Sequence, residues 1–253
     1  MATIWSVDEL VEASAVNPIE EIDKKYYEYG PGFGYYILSN VYKNFDKFRE
    51  VVRSCPVYPN IMSKLNPFYT GTVPDPLVAK VRDTLSTKKW HTPVSSYINY
   101  YHHSIITATK AQAWPHSDSF EGSGRVLVCN GWLSEHNPKN KTCFYYNKKT
   151  GKYTWTEKEY ASAVPNWRRR ADNKFRNFVE DDTLVKVAEA PTKPGTISIY
   201  FSDQIHAPHV DYDAKDERHS YVLMFGDNAY MQDTGGPDEN ALKPPNSMSG
   251  MLL

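Results

Sequence analysis

The stretch from Gly195 to Phe225 reads GTISIYFSDQIHAPHVDYDAKDERHSYVLMF, and its pattern sets the fold class. Ile197, Ile199 and Phe201 alternate with Ser198, Tyr200 and Ser202. Successive side chains on a strand point to opposite faces, so this alternation reads as a half-buried strand. Ser202-Asp203-Gln204 is a turn signal. Ile205 to Val210 reads as a short returning strand that carries His206 and His209. Asp211 to Glu217 is polar and loop-like, and Arg218 leads into the apolar run Tyr221 to Phe225. Strand, turn, His-bearing strand, loop and Arg-led strand in succession predict a mainly β domain.

A second stretch, Trp114-Pro115-His116-Ser117-Asp118, supplies chemistry to go with that frame. On an extended strand, residues two apart share a face, so His116 and Asp118 aim an imidazole and a carboxylate at one point. A His from a neighbouring strand completes a facial set of two His and one carboxylate. Such a set binds Fe(II) and leaves coordination positions open for oxygen chemistry. His-x-Asp by itself is common in a chain with eight His and 30 acidic residues, so the later stretch carries the weight. Taken singly, each residue has a plainer explanation. A His in an apolar strand is usually a hydrogen-bonded structural residue, Asp118 can cap a turn, and Arg218 can pair with Asp216 or Glu217.

In this order, His116-x-Asp118, a distal His and Arg218 resemble the iron- and 2-oxoglutarate-dependent oxygenases. Val126 to Leu133 is similar to the strand that follows His-x-Asp in their prolyl-hydroxylase-like branch. Lys141-Thr-Cys-Phe144 resembles that branch's Gly-Gly-Thr-x-Phe segment without its paired Gly. The resemblance spans residues 95 to 228. A weaker one, over Tyr35 to Pro56, is to small and often phage-encoded members. It implies a double-stranded β-helix (a jelly roll, cupin-like) with N-terminal helices packed outside. It also implies Fe(II), 2-oxoglutarate as cosubstrate and O2. His116 and Asp118 would bind the metal, and Arg218 would receive the distal carboxylate through its planar fork. The implied reaction hydroxylates an aliphatic C–H of a peptidyl or small-molecule substrate and decarboxylates 2-oxoglutarate to succinate. A Tyr on the strand before His-x-Asp would line the cosubstrate pocket. Tyr101 is the candidate, with Tyr97 on its face and Tyr100 on the other.

Two residues compete as distal ligand. His206 shares its strand face with Gln204, Pro208 and Val210. Choosing His209 instead turns Asp211 inward, a buried carboxylate that would need a partner. Yet Pro208-His209-Val210 and the gap to Arg218 also resemble the prolyl-hydroxylase pattern, so His209 stays as the alternative. Ser202, Thr196 and His219 are nearby hydrogen bonders. A zinc-dependent hydrolase would use the same three ligands plus a water, but it leaves Arg218 without a task. A non-catalytic jelly-roll module is the remaining alternative.

The 253 residues suit one large β domain, with residues 1–230 as the domain, 1–90 as a helical N-terminal part and 91–228 as the core. From Met231, Gly-Gly-Pro and Lys-Pro-Pro read as a draped or mobile tail, 231–253. Hydrophobic content of 40% and a net charge of −1 permit a packed core and show no basic excess. Nucleic acid is therefore not advertised as a partner, although a local groove stays open. Three Cys without a Cys-x-x-Cys argue against a disulfide framework, and Cys129 and Cys143 read as buried thiols. No signal-like N-terminus and no long apolar run occur, so a soluble cytoplasmic protein without a membrane partner is expected.

In the N-terminal third, Ser6 with Glu9 forms a capping-box pattern before a short helix. Tyr35 to Leu38 reads as a strand and Asn44 to Arg53 as a helix burying Phe45, Phe48, Val51 and Val52. Pro67 to Pro74 reads as a loop and Asp75 to Leu85 as a helix. Gly30 to Gly34 is a turn and lacks the Lys-Ser/Thr of a phosphate loop. Tyr145 to Trp155 reads as a hairpin turning at Thr150-Gly151. The basic, aromatic run Trp167 to Arg176 reads as a solvated helix face or a lip of the mouth. The loops Ser119–Gly124, Asn137–Lys141 and Trp167–Phe178 would carry specificity.

Overall fold

Ser6 caps helix α1 (Val7–Ala13): its hydroxyl accepts from the Glu9 N–H, and the Glu9 carboxylate accepts from the Ser6 N–H at 2.9 Å. This is the reciprocal cap expected from the spacing. Helix α2 (Phe45–Ser54) buries Phe48, Val51 and Val52 on one side, as its periodicity predicts. The computed structural model describes residues 5–54, 58–59, 68–70, 94–98, 104–106, 114–121, 126–163, 177–211, 213–214 and 218–227. The helix expected over Asp75 to Leu85, the candidate Tyr101, the run 167–176 and the tail from 231 lie outside the described residues.

The strands are β1 (Asp23–Gly30), β2 (Phe33–Ser39), β3 (Tyr58–Pro59), β4 (Phe68–Thr70), β5 (Val94–Ile98), β6 (Ser104–Ile106), β7 (Val126–Trp132), β8 (Lys141–Asn147), β9 (Leu184–Pro191), β10 (Ile197–Phe201), β11 (His206–His209) and β12 (Arg218–Asp227). All pair antiparallel, in two sheets. The larger runs β1-β2-β10-β7-β12-β6-β4-β3, with β5 also on β12; the smaller runs β11-β8-β9. Among the described residues, mainly β with few helices is thus the observed class.

Register decides which residues face the space between the sheets. Tyr200 pairs with Val128, and both pack with Phe144 and Ala190 of the smaller sheet. That cluster joins the two sheets. The opposite face of the larger sheet carries Cys129, Ile197, Ile199 and Tyr221, which pack with Phe48, Val51 and Val52 of α2. Gly131 pairs with Tyr221 there, and a Cβ at Gly131 would sit 2.0 Å from the Tyr221 ring, so only glycine fits. The ring stands over that strand, and its hydroxyl hydrogen-bonds the Tyr42 hydroxyl. A third cluster, with Trp155, Leu184, Ile205 and Cys143, covers the outer face of the smaller sheet.

Four expectations change. First, the N-terminal part, expected to be helical apart from a strand over Tyr35 to Leu38, also holds β1, and β1 and β2 together extend the larger sheet from its edge. Strand β1 is mostly exposed, so its Lys and Glu residues hide the strand periodicity. Second, Phe68–Thr70 is strand rather than loop. Third, the hairpin over Tyr145 to Trp155 stops at one bridge, Asn147 with Lys152. Residues 157–163 turn helical, and β8 pairs instead with β9. Trp155 is 1% exposed in the third cluster, a burial that an exposed hairpin arm would forfeit. Fourth, β10 is not half-buried: Ile197 to Tyr200 are all buried, because helices cover one face and the smaller sheet covers the other.

Candidate metal centre

His116 and Asp118 do not lie on one continuous strand. His116 makes an isolated bridge to His206, each N–H donating to the other's carbonyl at 2.8 Å. The chain then bends. The Asp118 and Ser119 N–H groups both donate to the Ser202 carbonyl, at 2.8 and 3.1 Å. The Ser119 and Ser202 hydroxyls meet at 2.5 Å, and Trp155 Nε1 donates to the Ser117 hydroxyl at 2.8 Å. The loop that carries the carboxylate is therefore held on both flanks by buried groups.

The two histidines are oriented by the same local device. His116 Nδ1 lies 3.1 Å from the Trp114 carbonyl, and His206 Nδ1 lies 2.9 Å from the Gln204 carbonyl. A carbonyl can only accept, so each Nδ1 carries a hydrogen, and each Nε2 is the ring atom left to face a metal. Those Nε2 atoms lie 4.0 Å (His116) and 3.6 Å (His206) from the two Asp118 oxygens. All three ligating atoms fall within 4.8 Å of one another. Metal–donor distances of about 2.0–2.2 Å put neighbouring donors roughly 3 Å apart, so a modest contraction would close the set on one ion.

Electrostatics favour the same reading. Burial pushes the His206 imidazole down to about 4, neighbouring His116 adds to that, and Asp118 pulls weakly the other way. His206 is therefore neutral at pH 7, and its 3.6 Å approach to Asp118 is not a salt bridge. The neutral His206 and the His116 ring both face a carboxylate, an arrangement that a cation among them would stabilise. The donor set of two imidazoles and one carboxylate suits a divalent transition ion. The His116 side chain is 30% exposed and that of His206 5%, so the group opens toward solvent on the His116 side.

His209 lies outside this group. In β11, His206 pairs with Phe144 of the intersheet cluster, whereas His209 pairs with Lys141. Three residues further on, its ring belongs to the opposite face, where Lys141 and Lys186 both hydrogen-bond Glu189. Burial first, and then Lys186, lower the His209 pKa.

Arg218 opens β12 and is 7% exposed, with its guanidinium 4.6 Å from the centre of the Trp132 ring. Burial holds the Tyr200 hydroxyl pKa well above its ordinary value, Asp118 raises it further, and the Asn130 hydrogen bond and then Arg218 lower it. The Tyr200 ring lies 4.8 Å from that of His206. Of the nearby polar residues named from the sequence, Ser202 bonds to the triad's loop. The Thr196 hydroxyl donates to the Lys193 carbonyl at 2.7 Å. His219 is pushed down to about 4, chiefly by burial and then by Arg53.

Asn130, Trp132 and Tyr200 were not singled out from the sequence. A signal existed in the run Val126 to Trp132, where Asn130 interrupts an otherwise apolar strand. A polar residue inside such a run needs a partner, and here its Nδ2 donates to the Tyr200 hydroxyl at 2.8 Å.

No protein-family model matches the chain, and no curated protein matches it. Solved structures do. The non-heme, α-ketoglutarate-dependent carbocyclase SnoK from nogalamycin biosynthesis aligns over 88% of this chain and 84% of its own, with a TM-score of 0.50 and 9% identity. HygX from Streptomyces hygroscopicus, solved with nickel, 2-oxoglutarate and hygromycin B, aligns over 77% and 83% at TM-score 0.47 and 13% identity. A Pseudomonas putida prolyl-4-hydroxylase aligns over 77% and 92% at TM-score 0.43 and 11% identity. At such identities the likeness to SnoK is one of fold.

Proposed function

We propose that this protein is an Fe(II)- and 2-oxoglutarate-dependent oxygenase built on a double-stranded β-helix, and that it hydroxylates an aliphatic C–H of a peptidyl or small-molecule substrate. The observation that carries this reading is the convergence, between two sheets, of two Nδ1-anchored histidines and one carboxylate, in a protein that also buries the Arg218 guanidinium. The fold shared with SnoK supports it.

In this reading His116 Nε2, Asp118 and His206 Nε2 hold the metal, and Arg218 takes the distal carboxylate of the cosubstrate. When bound, the iron and 2-oxoglutarate supply the activation of O2, with succinate and CO2 as coproducts. The protein's own part is placement. Backbone carbonyls of Trp114 and Gln204 orient the imidazoles, and Ser202 fixes the carboxylate loop. Trp132 stacks the guanidinium, so its fork is pre-aligned for two parallel hydrogen bonds to a carboxylate. Buried walls exclude water from one side, and the exposed edge of His116 leaves the other open to substrate.

Purified protein supplied with Fe(II), 2-oxoglutarate and O2 is expected to form succinate, slowly without substrate and faster with one. His116→Ala, Asp118→Ala and His206→Ala should each lower metal affinity by at least about 100-fold, beyond the roughly 10–100-fold typical of outer-shell changes. His209→Ala should retain metal and turnover. Succinate formation that survives His206→Ala but not His209→Ala would move the centre to the other histidine.

A further inference from the structure

Strand β1 ends the strand order of the larger sheet, and among the described residues it pairs with β2 on one side only. Its other edge therefore offers a row of backbone N–H and C=O groups to a further strand. Proteins commonly blunt such edges by keeping them short, by a proline or a bulge, or by lysines. Here the strand runs for eight residues, Asp23–Gly30, without proline, and its bulge lies at the far end, between Glu28 and Gly30. Lys24 and Lys25 are the remaining safeguard. Beside them Tyr26 is 44% exposed, although its ring already packs 4.7 Å from that of Tyr36 on β2. Tyrosine is among the residues that protein interfaces enrich. Lys24 Nζ lies 4.9 Å over the same Tyr36 ring, on the sheet face that alternation gives to Tyr26 and Glu28.

Two copies of one strand pair antiparallel about a two-fold axis only when one residue lies opposite itself, because opposed side chains share a face. Centring on Lys24 or Lys25 sets lysine against lysine, and centring on Asp23 or Glu28 sets carboxylate against carboxylate. Centring on Tyr27 avoids like charges but makes no ion pair. Centring on Tyr26 sets Lys24 opposite Glu28, Lys25 opposite Tyr27, and Tyr26 opposite its own copy. Each lysine then meets a carboxylate or an aromatic ring. The lysines that oppose other strands thus admit this one. We infer that β1 is an interface between two copies of this chain, which pair antiparallel through residues 24 to 28 about a two-fold axis at Tyr26. The larger sheet continues from one protomer into its partner, and the two Tyr26–Tyr36 pairs meet across the axis. The interface goes beyond the proposed activity and is independent of the metal centre.

The test measures the mass of the full chain by light scattering over a concentration series, a dimer being twice the 29.0 kDa monomer. Wild type is expected to rise toward the dimer mass. Lys24→Glu and Glu28→Lys each set like charges opposite one another twice per dimer, and each should weaken association about tenfold. The double variant Lys24→Glu/Glu28→Lys restores opposite charges and should restore the dimer. Lys24, Tyr26 and Glu28 are all exposed, so substitution there should leave the fold intact. Disulfide formation reads the register. Tyr26→Cys would bring its Cα about 4.5–5.5 Å from that of the second copy, within disulfide reach, and should cross-link under mild oxidation. Lys24→Cys would lie roughly 13 Å from its copy and should not. A single-chain mass at every concentration, with no cross-link in Tyr26→Cys, overturns the inference. So does a dimer that both charge variants leave as tight as wild type, or one in which Lys24→Cys cross-links as readily as Tyr26→Cys.

Discussion

The Arg218 guanidinium lies over the Trp132 ring, 4.6 Å from its centre. A lysine there keeps the charge but loses the planar fork. Arg218→Lys is therefore expected to raise the KM for 2-oxoglutarate roughly 10-fold or more, and Arg218→Met by more than that, in line with about 2–5 kcal/mol for truncating one partner of a buried charged pair. Fe(II) affinity should hold in both. Steady-state succinate formation against 2-oxoglutarate concentration checks this, and an unaltered KM in the Met variant would remove Arg218 from the site. At this scale the charged and metal-binding residue types were legible. His116, Asp118, His206 and Arg218 carry chemistry that few structural positions need together. Tyr200 and Asn130 were not legible, because Tyr and Asn are also ordinary strand fillers and only the register reveals that they meet. Strand alternation favoured His206 over His209, the resemblance to the prolyl-hydroxylase pattern kept His209 as the alternative, and the structure brings His206 together with His116 and Asp118.

Among the elements, the turn after β10 joins two tasks. Its Ser202 carbonyl holds the Asp118 loop, and the strand that follows delivers His206. Moving one would move the other, so the carboxylate and the distal imidazole are set by a single local structure. Ser202→Ala leaves the backbone bonds but strands the Ser119 hydroxyl, which is 6% exposed. Expected results are a loss of about 1–3 kcal/mol in stability, read by urea unfolding, and roughly 10-fold weaker Fe(II) binding. Unchanged metal affinity would show that the backbone alone positions Asp118. Strands β7, β10, β11 and β12 were visible in the sequence through alternation and turn residues. What misled was the polar side of β10. Ser198, Tyr200 and Ser202 look like a solvent face, yet they are buried against the intersheet space, and the apolar side packs under α2 instead. Polar alternation marks solvent or a ligand cavity equally well, and local pattern cannot separate the two. Strand β1 escaped notice for the opposite reason, since an edge strand with mostly exposed residues has little apolar period to read.

For the molecule as a whole, the proposed metal between two sheets would explain why a buried neutral imidazole faces a carboxylate and why the larger sheet buries a guanidinium. Among the described residues no helix is long and apolar enough to cross a membrane. The proposed function predicts that the protein binds a divalent iron and a chelating 2-oxo acid. The most direct measurement is the visible absorption of the protein under anaerobic conditions as Fe(II) and then 2-oxoglutarate are added. A weak charge-transfer band should grow with 2-oxoglutarate, saturate at one equivalent of iron per chain, and vanish in His206→Ala. A spectrum that stays flat in the iron-loaded wild type, or a band of equal strength in His206→Ala, would contradict the account.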